Sequence, residues 1–468
     1  MTNVVRSRRL FLAALAAGLF LRLVALPLPG TGDVTPFKIW SHAASTRGIA
    51  EMYGVGGTPP ERRLHDWGGW QATVDYPPVA LYELAVVGWV YGTAFPGFPD
   101  SSLLTSAVKL LPLLAEGAIA WLLFLTVRRI LPARPAAARY AALAFWLNPA
   151  TVMATPVLGY VDALFALPAL GALVAAAAGS AGLAGTLLAL AVLTKPQAVL
   201  IAPVVGLALL GRAASRPPGS VLKAAGIAAG CGLAMSAVVL APMLAAGAWP
   251  NFVQAMRSFE RHDMLSGQAA NLWWIVTYVM RAIYAVTEMG PAGAFLSPVR
   301  RPLAITTIVQ LGYPNPRVAA TLLTLAAMAW GLWVGRRVRD LPRLALLGAW
   351  VGYAYFMLSV QVHENHFYLV VPLFTLAAAA LPEWRRLYWA LCASFAMNLY
   401  FFYGLGERVG FAVPRTVTGL DATVWLSVAN LAAFVWFGRQ LGPCLTRPDP
   451  DVIAGRADSP RPREWSSR

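Results

Sequence analysis

The residues of this chain with the greatest chemical capacity are ionisable groups set at the edges of long apolar runs. Gly32-Asp33-Val34 comes soon after the first run, where a carboxylate can meet a substrate at a lipid–water boundary. Val74-Asp75-Tyr76-Pro77-Pro78 closes a polar segment that opens at Pro29, and its paired prolines fix the backbone and start the next helix rigidly. Gly159-Tyr160-Val161-Asp162, after Asn148-Pro149, puts another carboxylate at a helix end, and Thr194-Lys195-Pro196-Gln197 breaks an apolar run with a cation. Gly267-Gln268-Ala269-Ala270-Asn271 leads into a helix that begins with Trp273 and Trp274, and His363-Glu364-Asn365-His366 completes the strip. An ionisable residue at membrane depth is costly enough that function is its default reading.

Several familiar chemistries do not fit these spacings. The histidines of His363-Glu364-Asn365-His366 stand at i and i+3, whereas a zinc-protease helix needs His-Glu-x-x-His. There is no phosphate-binding Gly-x-x-x-x-Gly-Lys-Ser/Thr loop, no dinucleotide fingerprint and no convincing Gly-x-Ser-x-Gly nucleophile. Cys231, Cys392 and Cys444 lie scattered in or just beyond apolar runs, which suits neither a disulfide framework nor a metal site.

The elements that must position these groups are membrane helices. Hydrophobic residues make up 58% of the 468-residue chain and charged residues 12%, against roughly 25% charged in a soluble domain. The net charge of +16 sits in short basic clusters between apolar runs, as in cytoplasmic membrane loops, and no nucleic-acid signature accompanies it. Runs near bilayer length recur from 10–28 through 79–97, 103–127, 140–157, 161–178 and 180–194 to 421–438. The expectation is an all-α polytopic protein with about eleven to fourteen crossings, its first helix retained rather than cleaved as a signal peptide. Residues 1–438 read as the membrane domain, 29–75 as a long outward loop, and 439–468 as a disordered cytoplasmic tail.

That first loop carries no obvious fold of its own, and loops of such length are more often functional than incidental. Arg6/Arg8/Arg9, Arg336/Arg337/Arg339 and Arg385/Arg386 mark cytoplasmic ends, which turns the loop and His363/His366 outward and leaves all five histidines outside the membrane core. If 79–97 and 103–127 both cross, the basic loop 128–139 falls outside, so parity there stays open. Bland readings compete with the functional ones. Trp273 and Trp274 read as interfacial anchors, Lys195 as a snorkelling side chain and Asp162 as a helix cap. Glu61, His65 and Asp66 read as a solvated loop face, and Glu116 as an internal partner of Lys109.

In their order these residues resemble a known family. An arginine in the first helix (Arg22), Gly32-Asp33 with Trp40, Asp75-Tyr76-Pro77-Pro78 and Val362-His363-Glu364-Asn365 look like the motifs of the GT-C superfamily of polytopic glycosyltransferases. The likeness is greatest to the glucosyltransferases that extend the dolichol-linked oligosaccharide. Asn148-Pro149, Lys195-Pro196-Gln197 and Asn271-Leu272-Trp273 also resemble prokaryotic relatives, so the likeness runs from Arg22 to Pro372. Asn365 stands where the family's His-Glu motif carries lysine, and residues between Tyr53 and Asp75 form an insert rich in Gly and Pro.

The resemblance implies an inverting transfer of a hexose or pentose from a polyprenyl-phosphate donor. The acceptor would be a lipid-linked glycan, a polysaccharide or a protein at the outer face of a prokaryotic plasma membrane. It makes Asp33 the general base and puts His363 on the donor phosphate, with Lys195 and Arg22 as further phosphate partners. Asp75, Tyr76, Asp162, Asn271, Glu364 and His366 would position the loop or the acceptor. No metal or other cofactor is called for, although a single divalent ion at Asp33 is compatible with the same residues. A transporter or flippase of a lipid-linked or sugar substrate is the competing class, and matched inverted repeats, the mark of many transporters, are not visible.

Overall fold

The computed structural model describes residues 2–55, 64–213, 217, 219–257, 264–287, 315–406 and 416–447. The chain is mostly helical, as its apolar periodicity requires. α1 (Thr2–Ala25) leads into α2 (Val34–Arg47) and α3 (Ile49–Tyr53), then a small antiparallel hairpin of β1 (His65–Trp67) and β2 (Trp70–Ala72). The expectation of a first loop without a fold of its own is therefore corrected. Val34, Phe37, Ser41 and Ala44 recur at helical spacing and are buried, which gives α2 an inward face despite its polar surroundings.

α4 (Pro78–Ala94) starts with Pro78 in its first turn, behind an extended Pro77. It packs along α2 so closely that a side chain at Gly88 would meet the Ser41 carbonyl. α5 (Ser102–Ile130) is capped by the Ser101 hydroxyl, which accepts from the Leu104 amide at 3.2 Å. α6 (Pro135–Trp146) and α7 (Pro149–Val152) follow, with one π-turn at Met153–Val157, and α8 (Asp162–Ala177) and α9 (Ala181–Thr194) form the next pair. α10 (Ala202–Ala213), α11 (Ser220–Ala245) and α12 (Trp249–Met256) complete the first part of the bundle. α11 approaches α9 backbone to backbone, with Gly185 against the Ala228 carbonyl, the small-residue packing that membrane helices favour.

α13 (Leu272–Thr287), α14 (Asn315–Val334), α15 (Leu341–Leu358), α16 (Val370–Ala380) and α17 (Arg385–Tyr403) carry the chain to a short hairpin of β3 (Thr416–Val417) and β4 (Leu420–Asp421). α18 (Ala422–Thr446) ends the described chain. It corrects the expected tail, because helix continues past residue 439 and buries Leu441, Cys444 and Leu445; residues 448–468 lie outside the described set.

Among the described residues, four helices are long and apolar enough to cross a membrane: Ser102–Ile130, Ser220–Ala245, Pro316–Arg337 and Leu341–Leu358. Several other apolar runs fold as helices below bilayer length, such as Asp162–Ala177 and Ala181–Thr194. Of the two segments whose parity was open, α5 has the necessary length and α4, with 17 residues, falls short. Large apolar side chains such as Trp89, Trp121, Leu222 and Leu322 face outward, an arrangement suited to lipid rather than water.

Two buried cations hold the helices around the first loop. The Arg22 guanidinium donates to Glu116 Oε2 at 2.8 Å, the Trp146 carbonyl at 2.5 Å and Thr151 Oγ1 at 3.0 Å. Tyr368 donates to the other Glu116 oxygen at 2.9 Å, so Glu116 pairs with Arg22 and not with Lys109 as the sequence suggested. Lys109 instead donates to the carbonyls of Leu28 at 2.6 Å, Pro156 at 3.0 Å and Val157 at 3.0 Å. One ammonium thus ties the strand of chain before Asp33 to the π-turn before Tyr160. Lys109→Met leaves three interior carbonyls without that donor, and unsatisfied buried groups cost roughly 1–3 kcal/mol each. A thermal melt of the purified protein should show a loss of several degrees; an unchanged midpoint would mean that these carbonyls find other partners.

Candidate functional site

The first wall of the site is built by the loop regions that Lys109 joins. The Thr31 amide donates to the Leu158 carbonyl at 2.9 Å, and Gly159 adopts φ +85° where Val34 and the Lys109 stem leave no room for a side chain. This contact sets Asp33 at the start of α2. Its side chain makes no capping bond to α2 and lines a cavity of about 890 Å³. Phe37 and Trp40, one and two turns on, continue the wall, and Asp75 and Tyr76 close it, with Tyr76 packed edge-on to Phe37.

Two helix breaks supply further parts of the lining. Pro196 forces Lys195 into an extended conformation (φ −150°, ψ 125°), which ends α9 and turns the side chain into the protein. Lys195 Nζ donates to Asp162 Oδ1 at 2.7 Å, and Asn365 Nδ2 donates to Asp162 Oδ2 at 3.0 Å. Asp162 is buried in the first turn of α8, where the helix dipole favours a carboxylate. Lys195 itself reaches the cavity and lies 5.8 Å above the Tyr76 ring.

The second break lies between α15 and α16. There the Gly267 amide donates to the Val362 carbonyl at 2.8 Å, and the two short segments bridge at Gly267, Gln268 and His363. The His363 ring rests on Gly267, where an added Cβ would come within 2.8 Å of Nδ1. His366 Nδ1 lies 3.4 Å from both the His363 amide and the Tyr355 hydroxyl. Glu364 accepts a hydrogen bond from the Tyr160 hydroxyl, and both histidines and Glu364 line the cavity.

Seven residues expected at the site therefore meet around one cavity: Asp33, Asp75, Tyr76, Lys195, His363, Glu364 and His366. Asp162 sits behind the wall as the anchor of Lys195 and Asn365. Two expectations are corrected. Arg22 is fully buried, its guanidinium bonded within the bundle, and does not line the cavity, so it is not placed to hold a donor phosphate. Asn271 accepts from the Trp274 amide at 3.0 Å and donates to the Phe356 carbonyl at 3.0 Å, which makes it a helix-start residue away from the lining set.

Other bland readings change as well. Trp273 and Trp274 are buried rather than interfacial, their indoles donating to the Leu358 carbonyl and Thr423 Oγ1, each at 2.7 Å. His65 is buried, 2.9 Å from the Met52 carbonyl, whereas its neighbour Asp66 is exposed as expected; Glu61 and His262 lie outside the described residues. The lining also includes Gln361, Tyr355 and Tyr403, which no charge or motif spacing singled out. Among the described residues no group of three His, Cys, Asp or Glu side chains could hold a metal ion.

Two of the cavity's carboxyl groups, those of Asp75 and Glu364, hold their protons more tightly than free side chains do. Burial and then the charge of Asp33 push Asp75 up to about 6. Burial pushes Glu364 up to about 8 despite the Tyr160 hydrogen bond, with Asp33 adding to the rise. At neutral pH Glu364 is thus mostly the neutral acid, whereas Asp75 is mostly ionised but takes up a proton more readily than a free carboxyl group does.

No known protein-family profile matches the chain, and no curated protein is significantly similar to it.

A group that binds its proton more tightly when folded favours the folded state at low pH. That contribution is lost as pH rises, for Asp75 from 3.8 through about 6 and for Glu364 from 4.5 through about 8. Glu364→Gln fixes the neutral form, so its melting temperature should decline less than wild type between about pH 5 and pH 8. Melting curves in detergent across that range read the difference directly. Parallel declines would show that Glu364 is ionised throughout.

Proposed function

We propose that this chain is a polytopic, GT-C-like glycosyltransferase that moves a sugar from a polyprenyl-phosphate donor onto a hydroxyl acceptor. In this reading the shorter apolar helices join the four long ones to give about eleven to fourteen crossings. The cavity then opens to the outer face of a prokaryotic plasma membrane. The observation that carries the proposal is the meeting of Asp33 with Lys195 and His363 around one cavity, from segments distant in sequence. A carboxylate base together with a cation and an imidazole on one cavity supplies the groups that displacement at an anomeric carbon requires.

Asp33 takes the proton of the acceptor hydroxyl as its oxygen attacks the anomeric carbon. The bond from that carbon to the phosphate oxygen breaks, and the polyprenyl phosphate leaves with the electron pair, so configuration inverts. Lys195 and His363 stabilise the charge that grows on the departing phosphate; an ammonium has three donors, and one holds Lys195 to Asp162. Asp33 takes the role of base from its match to the family's first-loop aspartate, and Glu364, held mostly as the neutral acid, can donate a hydrogen bond to a substrate oxygen. The acceptor would be a lipid-linked glycan, a polysaccharide or a protein, and the chemistry calls for no metal when side chains neutralise the phosphate.

Reconstituted protein supplied with a sugar-loaded polyprenyl phosphate and an acceptor tests these roles separately. Asp33→Asn keeps shape and removes basicity, so turnover should fall by about 10²–10⁴-fold with the melting temperature retained. His363→Ala should lower kcat/KM for the donor by roughly ten- to a hundredfold, the weight of a hydrogen bond to a charged group. Asp66→Asn, on the exposed face of the same loop, should leave both constants unchanged. Near-normal turnover by Asp33→Asn removes the base, and movement of the donor across the bilayer without sugar transfer supports a transporter instead.

A further inference from the structure

Within that reading, we infer that Gln361 is a specificity-determining residue whose side-chain amide reads a hydroxyl of the transferred sugar. Among the described residues four non-glycine residues adopt positive φ, and two of them, Gln268 at +66° and Gln361 at +61°, line the cavity. Backbone pairing accounts for the path of the chain here, because the Gln361 amide donates to the Leu265 carbonyl at 3.2 Å. It does not account for a glutamine. Glycine enters this region without the clash that a Cβ brings, and strained side chains persist where they serve a site.

The two glutamines differ in what their side chains do. Gln268 Oε1 accepts from the Tyr403 hydroxyl, so that amide belongs to the wall. Gln361 Nε2 is buried and has no protein partner. Further orphaned atoms surround the same cavity: the donor Trp40 Nε1 and the acceptors Asp75 Oδ1, Gln197 Oε1 and Asn365 Oδ1. A buried polar atom without a partner is unfavourable, so such a set points to the ligand that completes it. A phosphate offers only acceptors and cannot answer Gln197 or Asn365. Neighbouring hydroxyls both donate and accept, and the Trp40 and Tyr76 side chains line the same cavity. The mixed set therefore fits a polyhydroxylated ring, and Gln361 supplies a donor to it from a position that glycine would fill at less strain.

The full chain in detergent or liposomes is assayed with polyprenyl-phosphate sugars that differ by one epimerised or deleted hydroxyl. Wild type should favour one sugar, and Gln361→Gly should melt at or above wild type while its kcat/KM preference at one hydroxyl shrinks by roughly tenfold. Gln361→Asn, which tolerates the left-handed backbone and keeps a shorter amide, should retain part of the preference. Unchanged preference in Gln361→Gly overturns the inference, as does a lower melting temperature with preference intact, which marks a structural amide. If no donor is consumed, the transfer reading fails by itself, and free monosaccharides then probe the residue. A sugar-dependent melting shift present in wild type and absent from Gln361→Gly supports its role, and equal shifts overturn it.

Discussion

The buried ion pair between Lys195 and Asp162 is the constraint on which the cavity depends. Two charges removed from water inside an apolar bundle gain little net stability, and removing either partner typically costs about 3–5 kcal/mol. The pair is therefore weak evidence for stability and stronger evidence for placement. Asp162 takes Lys195 on one oxygen and Asn365 on the other, so a single carboxylate fixes the start of α8, the break after α9 and the segment between α15 and α16. Those are the elements that bring a cation and an imidazole to the cavity. Arg22 and Glu116 form a superficially similar pair, yet the contacts described for them lie inside the bundle, and neither lines this cavity.

Around Asp33 the positioning is done by backbone carbonyls gathered on one ammonium. Irregular chain at membrane depth is tolerated where its carbonyls and amides find partners or line a cavity. Lys109 gathers three carbonyls and Thr31 pairs with Leu158, so two non-helical stretches that meet behind Asp33 are satisfied. The base candidate is thus mounted on a short rigid bracket, while Asp75 and Tyr76 are held by the proline-initiated start of α4. Both walls place their reactive groups at the ends of helices, where the sequence changes from apolar packing to polar chemistry.

Much of this site was legible in the sequence because charge is rare in an apolar chain. Asp33, Asp75, Lys195, His363, Glu364 and His366 stand out against their neighbours, and proline or glycine beside them marks helix breaks. Arg22 stood out for the same reason and was misplaced, because a sequence shows that a charge is buried but not which partner claims it. Gln361 was invisible: a neutral residue next to a motif gives no signal until its backbone angle and unpaired amide are known. The helices of the first loop escaped notice because α2 buries only one face among polar residues. Helix lengths were the least legible feature, since Pro156, Gly179-Ser180 and Lys195-Pro196 divide continuous apolar sequence into pieces shorter than a bilayer.

A structure of the chain with a non-transferable polyprenyl-phosphonate sugar bound tests the central claim most directly. The account places the phosphonate within hydrogen-bonding distance of Lys195 and His363, with the face of the anomeric carbon opposite the phosphonate turned towards Asp33. A ligand bound elsewhere, or one whose anomeric carbon faces Lys195 with Asp33 out of reach, would contradict it.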